Sequence, residues 1–334
     1  MRYRHCLAVL LLVLATGCGS SDVPTGSVAT TTPTGSDDPA SAQIITSDIA
    51  HFWAAYDAGG KTGSASAFQG QYLNGASAGL KDFIVLRGVT GQSLAQMVAA
   101  YPRYFASIRA SNLALATDGV TVARIRANFG IIKTLYPASV FPPVTLLVGR
   151  FSTGGTTSSN GMLVGSEFYS ITANTPLDEL QQFQHDNVHL IDSLPIIVAH
   201  EHAHILQARA RGVFTHSNKT LLEQTLMEGG ADFIGERSSG GNINGRLAVF
   251  GVSNEAALWA DFRTAMRGTD VSRWLYNQGT AGATADRPGD LGYFIGYRIV
   301  AAYYARQSDK VAALRDIIEI KDADDFLARS GYAP

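Results

Sequence analysis

Three imidazoles and a carboxylate stand within five residues in Ala199-His200-Glu201-His202-Ala203-His204-Ile205-Leu206-Gln207, and this run constrains the fold more than any other. Pro195 suits the first turn of a helix, Ile196, Ile197, Ile205 and Leu206 frame the polar group, and Gly212 stops it. The spacing therefore predicts a helix over 195–211. On that helix His200 and His204 lie one turn apart on one face and can point at a single ion. Glu201 projects about 100° away, where it reaches a water beside the ion without being a ligand. The pattern H-E-x-x-H on a helix thus encodes a zinc site with its own base. With 8 His in 334 residues, chance supplies roughly 0.005 such matches, so the pattern carries information.

The neighbouring histidines read differently. His202 points away from the pair on the helical wheel, toward solvent or a layer behind the ligands, and is not expected to bind the ion. His185-Asp186-Asn187-Val188-His189 repeats the four-residue spacing with Asp where Glu is needed. It lacks an apolar helical frame and reads as a surface segment.

Two histidines leave a tetrahedral ion short of one protein ligand, with the fourth place kept for water. Gln207 and Ala210 occupy the positions where the metzincin pattern needs Gly and His, which excludes that solution. The alternative is a glutamate on the next helix, predicted over 221–237. Glu228 and Asp232 share a face there, so one can bind the ion while the other orients a histidine through its second ring nitrogen. Glu223 and Glu236 are also candidates, but Leu226, Met227, Phe233 and Ile234 give Glu228 the apolar surroundings of a ligand. Gly229, Gly230 and Ala231 are small enough to let this helix approach the first closely.

HEHAH followed by LMEGGAD resembles the gluzincin pattern of the zincin-like metallopeptidases. Together, HEHAHILQ, LLEQTLMEGGADFIGE and GYFIGYRIVAAYY resemble a bacterial group of zinc-dependent proteases without assigned substrate, several of them lipoproteins. The matching blocks lie between about Phe141 and Tyr332. The resemblance implies that His200, His204 and Glu228 bind zinc and that Glu201 is the general base; it supplies no substrate, and a peptide or protein substrate is the leading expectation.

Such chemistry also needs a donor for the developing oxyanion. Tyr293 and Tyr297 are one helical turn apart in a predicted helix over 292–306, and Tyr297 is the first choice. Both also fit an aromatic core stripe continued by Tyr303 and Tyr304. Arg298 and His216 are weaker alternatives.

The remaining sequence sets the setting. A basic start, an apolar run from Cys6 to Ala15 and Thr16-Gly17-Cys18 read as a secretory signal over 1–17, too short to span a membrane. Leu14-Ala15-Thr16-Gly17-Cys18 resembles a bacterial lipobox, which implies lipidation of Cys18 and a lipid-anchored place in the cell envelope. Residues 18–43, rich in Ser, Thr, Gly and Pro, read as a disordered tether. Cys6 and Cys18 are the only cysteines, so removal of one and lipidation of the other leave no disulfide. Loss of the signal with Arg2 and Arg4 takes the net charge from −2 to about −4, and no basic patch suggests nucleic acid.

The folded unit is expected over 44–334. Helices are predicted after Ser47-Asp48, over 94–110, 120–133 and 255–266, with strands at 144–148 and 162–164; Asn160-Gly161 marks a turn, and 154–165 reads as a surface hairpin. This describes an α+β fold, with a small sheet-bearing N-terminal half, a helical C-terminal half and the zinc helix between them. Beside that helix, the strand within 154–165 could pair with an extended peptide. Three functions stay open: a zinc peptidase, a zinc hydrolase of non-peptide amides or esters, and a non-catalytic zinc-binding lipoprotein acting through partners.

Overall fold

The computed structural model describes residues 33–334 apart from 211, 213–215, 281–282 and 285. The signal, Cys6, Cys18 and most of the expected tether lie outside the described residues. The end of that tether is packed. Ser36 and Phe141 exchange backbone hydrogen bonds of 3.1 and 2.8 Å, and Arg126 donates to the carbonyl of the buried Ala42.

A four-stranded sheet runs in the order β1 (Ile44–Ile45), β2 (Val144–Leu147), β4 (Gly161–Gly165), β3 (Gly155–Ser158). The first three are parallel, and β3 closes the edge antiparallel to β4. Val144, Leu146, Met162, Leu163 and Val164 are fully buried, as expected of strands covered on both faces. The expected strand over Met162–Val164 is therefore interior. One edge is β3, whose Gly-Thr-Thr-Ser sequence completes the hairpin expected around Asn160-Gly161.

The N-terminal half is mainly helical, which corrects the expectation of a sheet-bearing half. Ile49, Phe52, Trp53 and Tyr56 form the buried face of α1 (Ser47–Asp57). It is followed by α2 (Ala65–Phe68), α3 (Ala78–Arg87), α4 (Gly91–Ala100), α5 (Pro102–Thr117) and α6 (Val120–Leu135). One helix expected over 94–110 is two, because Pro102 cannot continue the helix before it and instead starts the next at N1. Asp48 does not cap α1. It is buried and accepts hydrogen bonds from the Ser77 amide and hydroxyl at 3.1 and 2.5 Å, which ties α1 to the start of α3.

After the sheet come α7 (Gln182–Asn187), α8 (Leu194–Ala210), α9 (Leu221–Ser239), α10 (Leu247–Gly251), α11 (Glu255–Ala265), α12 (Leu291–Arg306), α13 (Lys310–Ile318) and α14 (Ala323–Ser330). Thr220 and Glu223 form a reciprocal capping box at the start of α9, which commits Glu223 to the backbone. Helix α9 lies between α8 and α12. A Cβ on Gly229 would fall 2.1 Å from the Tyr297 nitrogen, and one on Gly296 would fall 1.9 Å from the Thr225 oxygen. The tightest approach bought by the small residues of α9 is thus to α12. Toward α8 the fit is looser, with Gly235 facing the His200 backbone and Gly230 facing the Gln207 amide, each at 3.2 Å. Among the described residues no helix is long and apolar enough to cross a membrane.

Candidate metal centre

Helix α8 is apolar nearly all round, so its three histidines and glutamate are carried into the interior and each must find a partner. His200 Nε2 and His204 Nε2 face each other at 3.1 Å. Glu228 Oε2 on α9 lies 3.6 Å from the first and 3.2 Å from the second. These three side chains form a group whose ligand atoms all lie within 4.8 Å of one another.

The outer ring nitrogens determine the tautomers. His200 Nδ1 donates to Asp232 Oδ1 at 2.8 Å, and Asn244 Nδ2 donates to both oxygens of that carboxylate at 3.1 and 3.2 Å. Gln207 Nε2 donates to the Met227 carbonyl at 3.0 Å, which fixes the amide so that Oε1 accepts from His204 Nδ1 at 3.0 Å. With both Nδ1 protons committed, two Nε2 lone pairs and a carboxylate converge on one point. Such a donor set fits a divalent cation with nitrogen and oxygen preference, zinc among them.

Electrostatics agree with that fit. Burial opposes charge on both rings, yet Asp232, Glu228 and Glu201 pull the His200 pKa above the ordinary imidazole range, and Glu228 and Glu201 do the same for His204. Burial likewise pushes the Glu228 carboxyl up, but the facing His204 and His200 rings hold it well below its usual value. Three carboxylates around two imidazoles make a pocket that favours positive charge.

Glu201 lies against the edge strand and near enough to His200, His204 and Glu228 for their charges to act on its carboxyl. Gly155 on β3 sits against it: a Cβ there would come within 2.4 Å of Oε1 and 2.8 Å of Cγ. Glu201 is 7 % exposed, and its burial raises the carboxyl pKa. A raised carboxyl pKa suits a group that must take up a proton and release it again.

His202 is neither a ligand neighbour nor solvent-facing, as the wheel suggested. It is buried between Phe129 and Phe141, with ring centroids 4.9 and 5.2 Å away, and donates through Nε2 to the Val140 carbonyl at 2.7 Å. Burial lowers its pKa to about 4, so it is a neutral core residue fastening α8 to the chain before the sheet. His185 is exposed on α7, and His189 stacks on Tyr169 at 5.6 Å, so the second histidine pair does not converge. His216 Nε2 is paired with Glu223 at 3.1 Å, and Arg298 with Glu255 at 2.7 Å.

The phenols are distributed in an order the sequence did not suggest. The Tyr293 ring lies against His200, with centroids 6.3 Å apart and planes at 28°. Tyr297 turns instead to Glu236 and Phe233 and lines a cavity of about 180 Å³ with Asn242, Asn244 and Arg298. The phenol at the cluster is Tyr276, which donates to Glu228 Oε1 at 2.5 Å and packs edge-on against Tyr293. Tyr276 has φ +56°, a left-handed conformation rare for a bulky residue. It is held there by its neighbour: the Asn277 amide donates to Asp290 Oδ1 at 2.9 Å, and the Asp290 amide to Asn277 Oδ1 at 2.6 Å. Tyr276 lies in a loop with no periodic pattern, so nothing local marks it. Gln207, three residues after His204, was legible from helical spacing alone.

No curated protein and no solved structure matches the chain. Residues 172–321, the segment carrying the histidine pair, Glu228, Asp232 and Tyr276, match the family model described as predicted Zn-dependent protease (DUF2268).

Proposed function

We propose that this protein is a gluzincin-type zinc peptidase, with His200, His204 and Glu228 holding the ion and Glu201 as general base. The observation that carries the reading is the convergence of two lone-pair nitrogens and one carboxylate beside a separate buried glutamate, Glu201, that is not one of the three. A structural site needs no such extra base.

A divalent ion at this place supplies Lewis-acid polarisation of a carbonyl and acidifies a water. The protein's own groups do the rest. Glu201 receives the water's proton on its carboxylate and returns it to the leaving amine nitrogen. Asp232 and Gln207 keep the two imidazoles in the tautomer that presents Nε2. Tyr276, whose hydroxyl donates to Glu228, is the donor for the developing oxyanion, with Tyr293 packed edge-on against it. Strand β3, open on its outer edge beside Glu201, can align an extended peptide through main-chain hydrogen bonds. The lipobox-like ending at Cys18 supports a lipid-anchored position at a bacterial envelope membrane through acyl chains.

The test is metal content and peptide turnover of the full chain and of its Glu201→Gln variant. One zinc in each, with turnover in the parent alone, is expected. Absence of zinc from both rejects the reading, and equal turnover in both removes Glu201 as the base.

A further inference from the structure

One short segment joins the two walls of the cluster. Tyr276 rests on Glu228, and Asn277 is fastened to Asp290 at the start of α12. Beyond that anchor the chain turns at Gly279, with φ +74°, and reaches α7. Gln278 Nε2 donates to Asp186 Oδ2 at 2.8 Å, and a Cβ on Gly279 would fall 3.1 Å from Phe183. Helix α7 belongs to the opposite wall. Phe183 packs edge-on against Phe168, at 6.3 Å, and Phe168 ends the short turn Ser166–Phe168 that follows the β3–β4 hairpin bringing Gly155 to Glu201.

We infer that residues 276–279 form a strap tying the Glu228 wall to the Glu201 wall, so that the site selects short peptides over long chains. The inference rests on the peptidase reading above. A polypeptide that engages Glu201 and the metal ligands together has to pass beneath the strap or displace it. Threading beneath it requires a free end, and each further residue ordered on the way costs conformational entropy, so short peptides enter more readily than long chains.

The strap is built to be displaced. Gln278 Oε1, Asn277 Nδ2 and, on α7, Gln184 Oε1 are buried without a protein hydrogen-bond partner. Buried polar atoms left unpaired weaken the closed contact against an open, solvated one. Asp186 lies on α7, whereas the Tyr276–Asn277 anchor is held by Glu228 and Asp290, so removing the Asp186 side chain takes away none of the anchor's bonds. The latch can therefore be cut without moving the phenol from the cluster.

The experiment compares the zinc-loaded full chain with Asp186→Ala and Gln278→Ala. Turnover is measured on a short quenched-fluorescence peptide and on an unfolded protein carrying the same sequence at its centre. Amide hydrogen exchange at 276–280 reports the latch independently of activity. We expect the parent to prefer the short peptide by about tenfold or more in kcat/KM. Both variants should reduce that preference through faster turnover of the long chain, with raised exchange at 276–280 and unchanged zinc content. A parent that cuts both substrates equally overturns the inference while leaving the peptidase reading intact, as does an unchanged preference in variants whose exchange has risen. A parent that binds zinc and cuts neither substrate fails the peptidase reading itself, and the inference falls with it.

Discussion

Gly155 and Glu201 are in such close contact that no side chain fits between them: a Cβ on Gly155 would stand 2.4 Å from Oε1, 2.8 Å from Cδ and 2.8 Å from Cγ of the glutamate. The whole of the Glu201 side chain, and not only its tip, would have to move. Gly155→Ala is expected to lower kcat by about a hundredfold, the order of loss that follows from displacing a catalytic group by about 1 Å. Zinc content should be unchanged, because the two histidines are oriented by Asp232 and Gln207, not by Gly155 or Glu201. Kinetics beside a metal assay check this, and an alanine variant with parental kcat removes the steric argument.

Tyr276→Phe deletes the hydroxyl that meets Glu228. If it serves the oxyanion, kcat should drop by about 10²–10³ with little change in KM. Tyr297→Phe should stay within about twofold of the parent, since its hydroxyl is turned to Glu236. Steady-state kinetics of the two variants side by side decide between them, and the reverse ranking returns the role to Tyr297.

Asp232 and Gln207 touch the outer nitrogens of the two histidines. Asp232→Ala and Gln207→Ala should each weaken zinc binding by about 10–100-fold, the usual cost of losing a group that orients a ligand. Chelator competition measures this directly. Parental affinity in both would mean that the ring orientation is set by packing alone.

The α9–α12 crossing makes a stability prediction with its own control. A Cβ on Gly296 would lie 1.9 Å from Thr225 O and 2.8 Å from Thr225 C, backbone atoms that cannot step aside. Gly296→Ala should cost about 3 kcal/mol or more, at the upper end of overpacking. Gly130 in α6 has nothing within 4 Å of the same construction. Gly130→Ala should therefore stabilise by up to about 1 kcal/mol through helix propensity. Urea unfolding of the two variants should move the midpoint in opposite directions.

Burial pushes the Glu167 carboxyl up to about 7, against the pull of the Gly149 and Phe151 amides that donate to it at 2.8 and 3.1 Å. Its folded-state pKa is thus raised above the ordinary 4.5. The linked stabilisation is fully present below that ordinary value and is lost as pH rises through about 7. Relative to a Glu167→Gln variant, which does not titrate, the parent should lose on the order of 3 kcal/mol between about pH 5 and pH 8. Metal-free urea unfolding of both proteins across that range tests it, and a pH-independent difference would show that Glu167 titrates normally.

Helical spacing was enough to bring out what lies on a single element. One-turn spacing puts His200 beside His204 and Glu228 beside Asp232 in any helix, so a metal-directed pair and a carboxylate pair could be read before folding. Apolar periodicity likewise located α1, α6, α8, α9, α11 and α12 to within a few residues. Tertiary structure decided everything that depends on what one element meets. The helical wheel cannot tell that His202 faces Phe129 and Phe141 instead of water, because direction on a wheel says nothing about what lies there. The hairpin around Asn160-Gly161 was readable, but the bounds of β3 and its place at the sheet edge were not, because its polar sequence gains a place in the sheet only through pairing with β4. Tyr276 was hidden for the same reason: its left-handed backbone is held by Asp290, fourteen residues on, a contact that exists only once the loop has closed. Sequence sets what a residue can do chemically, and long-range packing chooses which residues do it.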